Sequence, residues 1–149
     1  MPYFAYCTLL DEGEMQRFVP TARRGAIGTI TGHRVVFERH GPELETGGCN
    51  LSAAEGSTVY GVLYDLTDEE FAHLDAISGV DKGLYERFAV RVTTVADDID
   101  AETYIIPNPG GDFRPTEAYV RPILAGAHDL HLPADYIASL EELVRDATE

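Results

Sequence analysis

Positive charge is scarce in this chain. Eleven lysines and arginines stand against 26 aspartates and glutamates, a formal net charge of -15 over 149 residues. A surface of that sign repels phosphate backbones and anionic headgroups, so no nucleic acid and no membrane is expected as a partner. Long apolar runs are missing too. No stretch approaches the roughly 20 residues needed to cross a bilayer. The first strand-like segment begins almost at the N-terminus and leaves no room for a signal peptide, so a cytoplasmic location is expected. Cysteine is limited to Cys7 and Cys49, with no CxxC pair. A structural zinc site is therefore not expected, and the two side chains read as free thiols rather than a disulfide. Repeats and low-complexity tracts are absent. No residue pattern calls for a cofactor or a metal, and the oligomeric state stays open.

What is present is ordinary for a globular protein. The apolar fraction is 44%, and the length suits one domain over residues 1–149 with a substantial core. The opening YFAYCTLL starts as a buried strand and stops at small polar residues, Cys7 and Thr8, just ahead of a short amphipathic helix over Asp11 to Val19 that Pro20 ends. Ala26 to Ile30 and Arg34 to Glu38 read as two strands flanking a tight turn at Thr31-Gly32-His33. Glu43 to Gly48 reads as a loop, and Cys49 to Ala53 as a short strand. Thr58 to Leu66 is the clearest strand, and Gly61 inside it marks a bulge or another backbone passing close. Thr67 and Glu70 form a capping box that opens a helix through Phe71, Leu74 and Ile77. Leu84 to Val95 and Ala101 to Ile106 suggest a hairpin around Asp97-Asp98. After a loop, PNPGGDFRP, two helices close the chain at Thr116 to Leu130 and Pro133 to Ala147, with Pro122 expected to kink or break the first. Strands followed by helices make an α+β layout, and short hairpin-linked strands suggest a small, partly closed barrel.

Several separated pieces resemble one family. YFAYCTLL is similar to the YFAYGSNL loop of γ-glutamylcyclotransferases and their AIG2-like and BtrG-like relatives. VYGVLYDLTDEEFAHLD, GLYERFAVRV and PTEAYVRPILAGAHDLHLPADYIASL resemble that family's central strand and helix, its following strand and its two closing helices. The likeness runs from about Tyr3 to Leu140. It implies a γ-glutamylcyclotransferase-like mixed small β-barrel with inserted short helices and two C-terminal helices, and a pocket beside the first strand-to-helix loop. The implied reaction closes a γ-glutamyl amide into 5-oxoproline and releases an amine. A base takes a proton from the substrate ammonium, the freed amine attacks the γ-carbonyl, and the base returns its proton to the leaving nitrogen. One glutamate does this in the family, within "L-D-x-x-E-G".

Here that stretch is LDAISGV. Asp75 and Gly79 align, but Ser78 takes the glutamate's place, and an unassisted serine hydroxyl is no base. The loop departs as well. Cys7 replaces a glycine whose backbone freedom allows close approach of a ligand. Thr8 keeps a hydroxyl, and Leu9 replaces an asparagine amide. The expected site is thus a degenerate one: Ser78 at the catalytic position, Cys7 as a weaker catalytic candidate, and Tyr6, Cys7, Thr8, Leu9 and Tyr85 around a small amino-acid-like ligand.

Bland readings stand beside these. Cys7 also reads as a small buried hydrophobe, and Cys49 is placed where the two thiols could approach each other. Ser78 also reads as a turn cap and Asp75 as structural. If Tyr85 faces the pocket, its neighbour Glu86 points away. His128 and His131 share a helix face but lack a third ligand. Three functions remain: a ligand-binding protein with divergent cyclisation or amine-transfer chemistry in a specialised pathway; an active cyclotransferase with a recruited carboxylate (Glu86, Glu55 or Asp81); and a non-catalytic binding or interaction module.

Overall fold

A closed five-strand barrel forms the centre of the computed structural model, which describes all 149 residues. The elements in chain order are β1 (Pro2–Ala5), α1 (Glu12–Gln16), β2 (Arg24–Arg39), β3 (Gly47–Asp65), α2 (Asp68–Ser78), β4 (Glu86–Thr93), β5 (Asp98–Ile105), α3 (Glu117–Asp129) and α4 (Ala134–Thr148). Single 3-10 turns sit at Thr8–Leu10 and Val80–Lys82. The strands lie in the order β1-β3-β2-β4-β5, antiparallel except where β1 meets β5 in parallel at Tyr3 and Glu102 to close the barrel. The β1–β5 bridge joins the two strands that would be the edges of an open sheet. This is the α+β barrel with two C-terminal helices that the sequence implied.

Two expected breaks between strands do not exist. Residues 26–38 form one long strand rather than two, because the chain passes the Thr31-Gly32-His33 step as a register shift against β3, with Gly32 at a φ of 77°. A bulge of this kind bends a strand without ending it. The expected strands at 49–53 and 58–66 are likewise the two halves of β3. The result is a long hairpin whose outer half, Arg34–Arg39 against Gly47–Ser52, extends beyond the barrel's short strands. The expected loop at 107–115 runs along the end of this hairpin: Glu38 bridges to Asp112, and the Phe113 amide donates to the Phe37 carbonyl at 3.3 Å. Gly61 does mark a close approach, since a Cβ there would collide with the Ala5 carbonyl and the Phe4 ring.

The helices mostly follow their caps. Thr67 and Glu70 make the reciprocal capping box that opens α2, a device in which two orphan backbone donors are satisfied at once. The first helix is shorter than its apolar spacing suggests, ending at Gln16 with Phe18 and Val19 outside it. α3 runs through Pro122 without a break. The proline removes one amide donor early in the helix while the turns on either side continue. Leu10, Met15, Ile123, Ala127, Ile137 and Leu140 extend the barrel's core outward, tying the first loop and both closing helices into one buried cluster.

Candidate functional site

The loop after β1 is held from three directions. The buried Tyr6 hydroxyl donates to the Tyr104 carbonyl on β5 at 2.8 Å, and the Tyr64 hydroxyl of β3 donates to the Leu9 carbonyl at 2.7 Å. Asp11 then caps α1 by accepting from the Glu14 amide at 3.0 Å. The third tie is covalent. Cys7 and Cys49 form a disulfide with their Cα atoms 6.3 Å apart and no free cysteine remains. The expectation of two free thiols is therefore corrected: the barrel carries β3 next to the first loop, and the two sulfurs meet. As a disulfide sulfur Cys7 presents no thiolate. Cys7 also has φ at -125°, so the loop places a cysteine here without the positive φ that only glycine adopts easily.

A cavity of about 330 Å³ opens beside this loop. Tyr6, Cys7, Thr8 and Leu9 line one side, Ser78 and Tyr85 also line it, and all six candidate residues therefore share one cavity. Ser78 arrives as the last residue of α2, and Tyr85 just precedes β4. Twelve of the 16 lining residues are hydrophobic, and none is Asp, Glu, Lys or Arg. Glu86, Glu55 and Asp81 are all exposed and outside the lining. Tyr85 lines the cavity while Glu86 does not, as alternation along a strand requires.

Phenols supply much of the polar chemistry, and most are already engaged. The Tyr85 hydroxyl donates to the Cys49 carbonyl at 3.2 Å, and the Tyr119 oxygen accepts from the Cys49 amide at 3.0 Å. Gly48 is what lets both rings approach, because a Cβ there would overlap the two hydroxyl oxygens. Tyr104 donates to Asp75 at 2.6 Å. Burial pushes Tyr6, Tyr85, Tyr104 and Tyr119 above the ordinary tyrosine value, so these phenols stay protonated at neutral pH and are not bases. Asp75 is structural: Arg87 grips its carboxylate in a fork, with Nη2 at 2.7 Å and Nε at 3.0 Å, while the guanidinium lies 3.8 Å from the centre of the Phe71 ring.

One lining residue was missed by sequence reasoning. His40 follows β2, and the hairpin brings it into the wall. It is the only lining side chain that titrates near neutrality, and burial lowers it below its usual value of 6.5. No local signal around His40 marked it, since its place depends on how the hairpin folds over the loop. His128 and His131, by contrast, share no helix face, because His131 lies beyond α3 at a φ of 55°.

A family model described as the AIG2-like family matches residues 58–140, more than half of the chain. The chain belongs to the AIG2-like family. Solved relatives agree with the barrel. A γ-glutamyl cyclotransferase is 25% identical, with a TM-score of 0.86 over 95% of this chain and 86% of that one. An uncharacterised protein from Homo sapiens is 23% identical, with a TM-score of 0.87 over 94% and 85%. YkqA from Bacillus subtilis is 19% identical, with a TM-score of 0.82; the match takes in 100% of this chain and 55% of that one. No curated protein matches. For this AIG2-like chain, then, the γ-glutamylcyclotransferase-like fold is established.

Proposed function

We propose that this AIG2-like chain binds a small amino-acid-like molecule in the cavity beside Cys7–Leu9 and does not carry out the family's glutamate-dependent cyclisation. One observation carries the reading: the cavity wall contains no carboxylate, and Ser78 stands where the resemblance puts the glutamate. Ring closure of a γ-glutamyl amide needs a group that removes a proton from the substrate ammonium before nitrogen attacks the γ-carbonyl. A serine hydroxyl without a partner base does not do this, and such groups contribute about 10²–10⁴-fold in rate. The charged ends of an amino-acid-like ligand fall to backbone groups of the loop, because the side chains offer no counter-charge.

A second reading has one observation in its favour. With Glu86, Glu55 and Asp81 outside the wall, His40 is the remaining lining group able to accept a proton near neutrality, so a cyclotransferase built on His40 is the surviving catalytic alternative. The test is to incubate wild type, Ser78→Glu and His40→Phe with a panel of γ-glutamyl amides and to quantify 5-oxoproline. The proposal expects wild type to be inactive and Ser78→Glu to gain weak turnover. Wild-type turnover that His40→Phe abolishes favours the second reading.

A further inference from the structure

The Cys7–Cys49 bridge joins two residues of the cavity wall. They are unequally accessible: Cys49 is 2% exposed, whereas Cys7 keeps part of its surface open. Tyr119, another lining residue, places its hydroxyl 3.6 Å from Cys7 Sγ. A disulfide sulfur carries no hydrogen, so the phenol is the donor in this pair. Burial keeps that phenol protonated at neutral pH. Neither end of the bridge relies on the S–S bond alone for its place. The Leu10 amide donates to the Cys7 carbonyl at 3.1 Å, and the Tyr64 hydroxyl holds the Leu9 carbonyl. The Cys49 carbonyl and amide are both tied, to Tyr85 and to Tyr119. The two sulfurs therefore stay neighbours when the bond between them opens.

We propose that Cys7 is a reversible thiolation site: a small thiol attacks Cys7 Sγ and stays on it as a mixed disulfide, while Cys49 leaves and acts as the resolving thiol. The incoming sulfur, as a thiolate, bonds to Cys7 Sγ in line with the existing bridge. The Cys7–Cys49 bond breaks, its electron pair goes to Cys49 Sγ, and Cys49 takes up the proton that the small thiol gave up. One S–S bond replaces another, so the exchange needs no oxidant and no reactant beyond the thiol. Access selects Cys7 as the sulfur attacked, since exchange depends on which sulfur can be reached. Negative charge is shared along the sulfurs during the exchange, and the Tyr119 O–H is a donor placed beside them. The reverse step needs only Cys49, which its backbone ties keep next to Cys7: its thiolate attacks Cys7 Sγ and releases the small thiol. An accessible cysteine beside a resolving partner is the general arrangement of reversible redox sites. The cavity of about 330 Å³ has room for such a thiol, because roughly 150 Å³ suffices for benzene. Thiolation of this wall does not depend on which other ligand the cavity takes.

The probe is 2-mercaptoethanol, added to oxidised wild type across a series of urea concentrations below the unfolding transition. Opening of the bridge is followed by acid quenching, capping of free thiols and peptide mapping by mass. Attack on the folded protein predicts a rate that changes by less than about twofold over the series, with the adduct on Cys7 and the cap on Cys49. A bridge reached only through global unfolding would open at least about fivefold faster per molar of urea. The reduced single variants are then offered 2-hydroxyethyl disulfide. The Cys7 thiol of Cys49→Ala should gain the adduct about tenfold or more faster than the Cys49 thiol of Cys7→Ala. The wild-type measurements need no variant, so they decide the matter if either variant does not fold. A rate that climbs with urea in step with unfolding, an adduct on Cys49 or on neither cysteine, or equal reactivity of the two folded variants would each overturn the assignment. Release of 5-oxoproline by wild type would instead sink the proposed function and leave exchange at Cys7 untouched.

Discussion

The disulfide makes a quantitative prediction. Cys7 and Cys49 close a loop across a sequence separation of 42 residues. Chain entropy for a loop of that size gives about 4 kcal/mol of stabilisation, through restriction of the unfolded chain. At roughly 2–4 °C per kcal/mol for a protein of this length, the double variant Cys7→Ala/Cys49→Ala should melt about 8–16 °C below the oxidised wild type. The native fold should survive, because the Cys49 backbone remains tied to Tyr85 and Tyr119 through its carbonyl and amide. The assay is thermal unfolding by circular dichroism of three samples: oxidised wild type, wild type reduced with a phosphine, and the double variant. Reduced wild type and the variant should melt close together, both far below the oxidised form. A fall of less than about 2 °C on reduction would refute the reasoning, because the bridge would then add almost nothing to the constraint on the unfolded chain.

Other expectations follow from the same geometry. Asp75→Asn leaves the Arg87 fork and the Tyr104 hydroxyl poorly matched and should cost about 1–3 kcal/mol in urea unfolding. Gly48→Ala places a methyl against the Tyr85 and Tyr119 hydroxyls and should cost about 1–3 kcal/mol, with a changed near-ultraviolet dichroism from the displaced rings. His40 also makes stability depend on pH. Its folded pKa lies below its unfolded value of 6.5, so the unfolded state takes up the proton first, and its contribution is full above 6.5 and is lost as pH falls below it. His40→Gln should therefore lose less stability than wild type between pH 7 and pH 5, and equal losses would count against burial of the ring.

The barrel and the closing helices were legible because their signals are local. The capping box at Thr67 and Glu70, the apolar run of β3 and the proline after the first helix each act within a few residues. The false turn at Thr31-Gly32-His33 came from reading glycine by itself. Gly32 and Gly56 adopt positive φ, yet the partner strand holds the ladder together on both sides, so long-range pairing overrides the local preference. The grouping of Ser78 and Tyr85 with the Cys7–Leu9 loop was legible only through the resemblance, since no spacing rule joins residues so far apart. His40 was not legible as a site feature, and of the disulfide only the approach of Cys7 and Cys49 was, through the resemblance. Both depend on the β2–β3 hairpin bringing residues 40 and 49 against the first loop, a tertiary fact with no local pattern behind it.

The central claim is that a cavity wall without a carboxylate is a binding site and not a glutamate-dependent cyclotransferase. The most direct measurement mixes purified wild type, at concentrations matching the substrate, with γ-glutamyl amides and follows 5-oxoproline against a protein-free control. Working at stoichiometric protein exposes even slow turnover. The account predicts release indistinguishable from the control for every amide tested, with Ser78→Glu rising above it. Release by wild type above the control would contradict the claim.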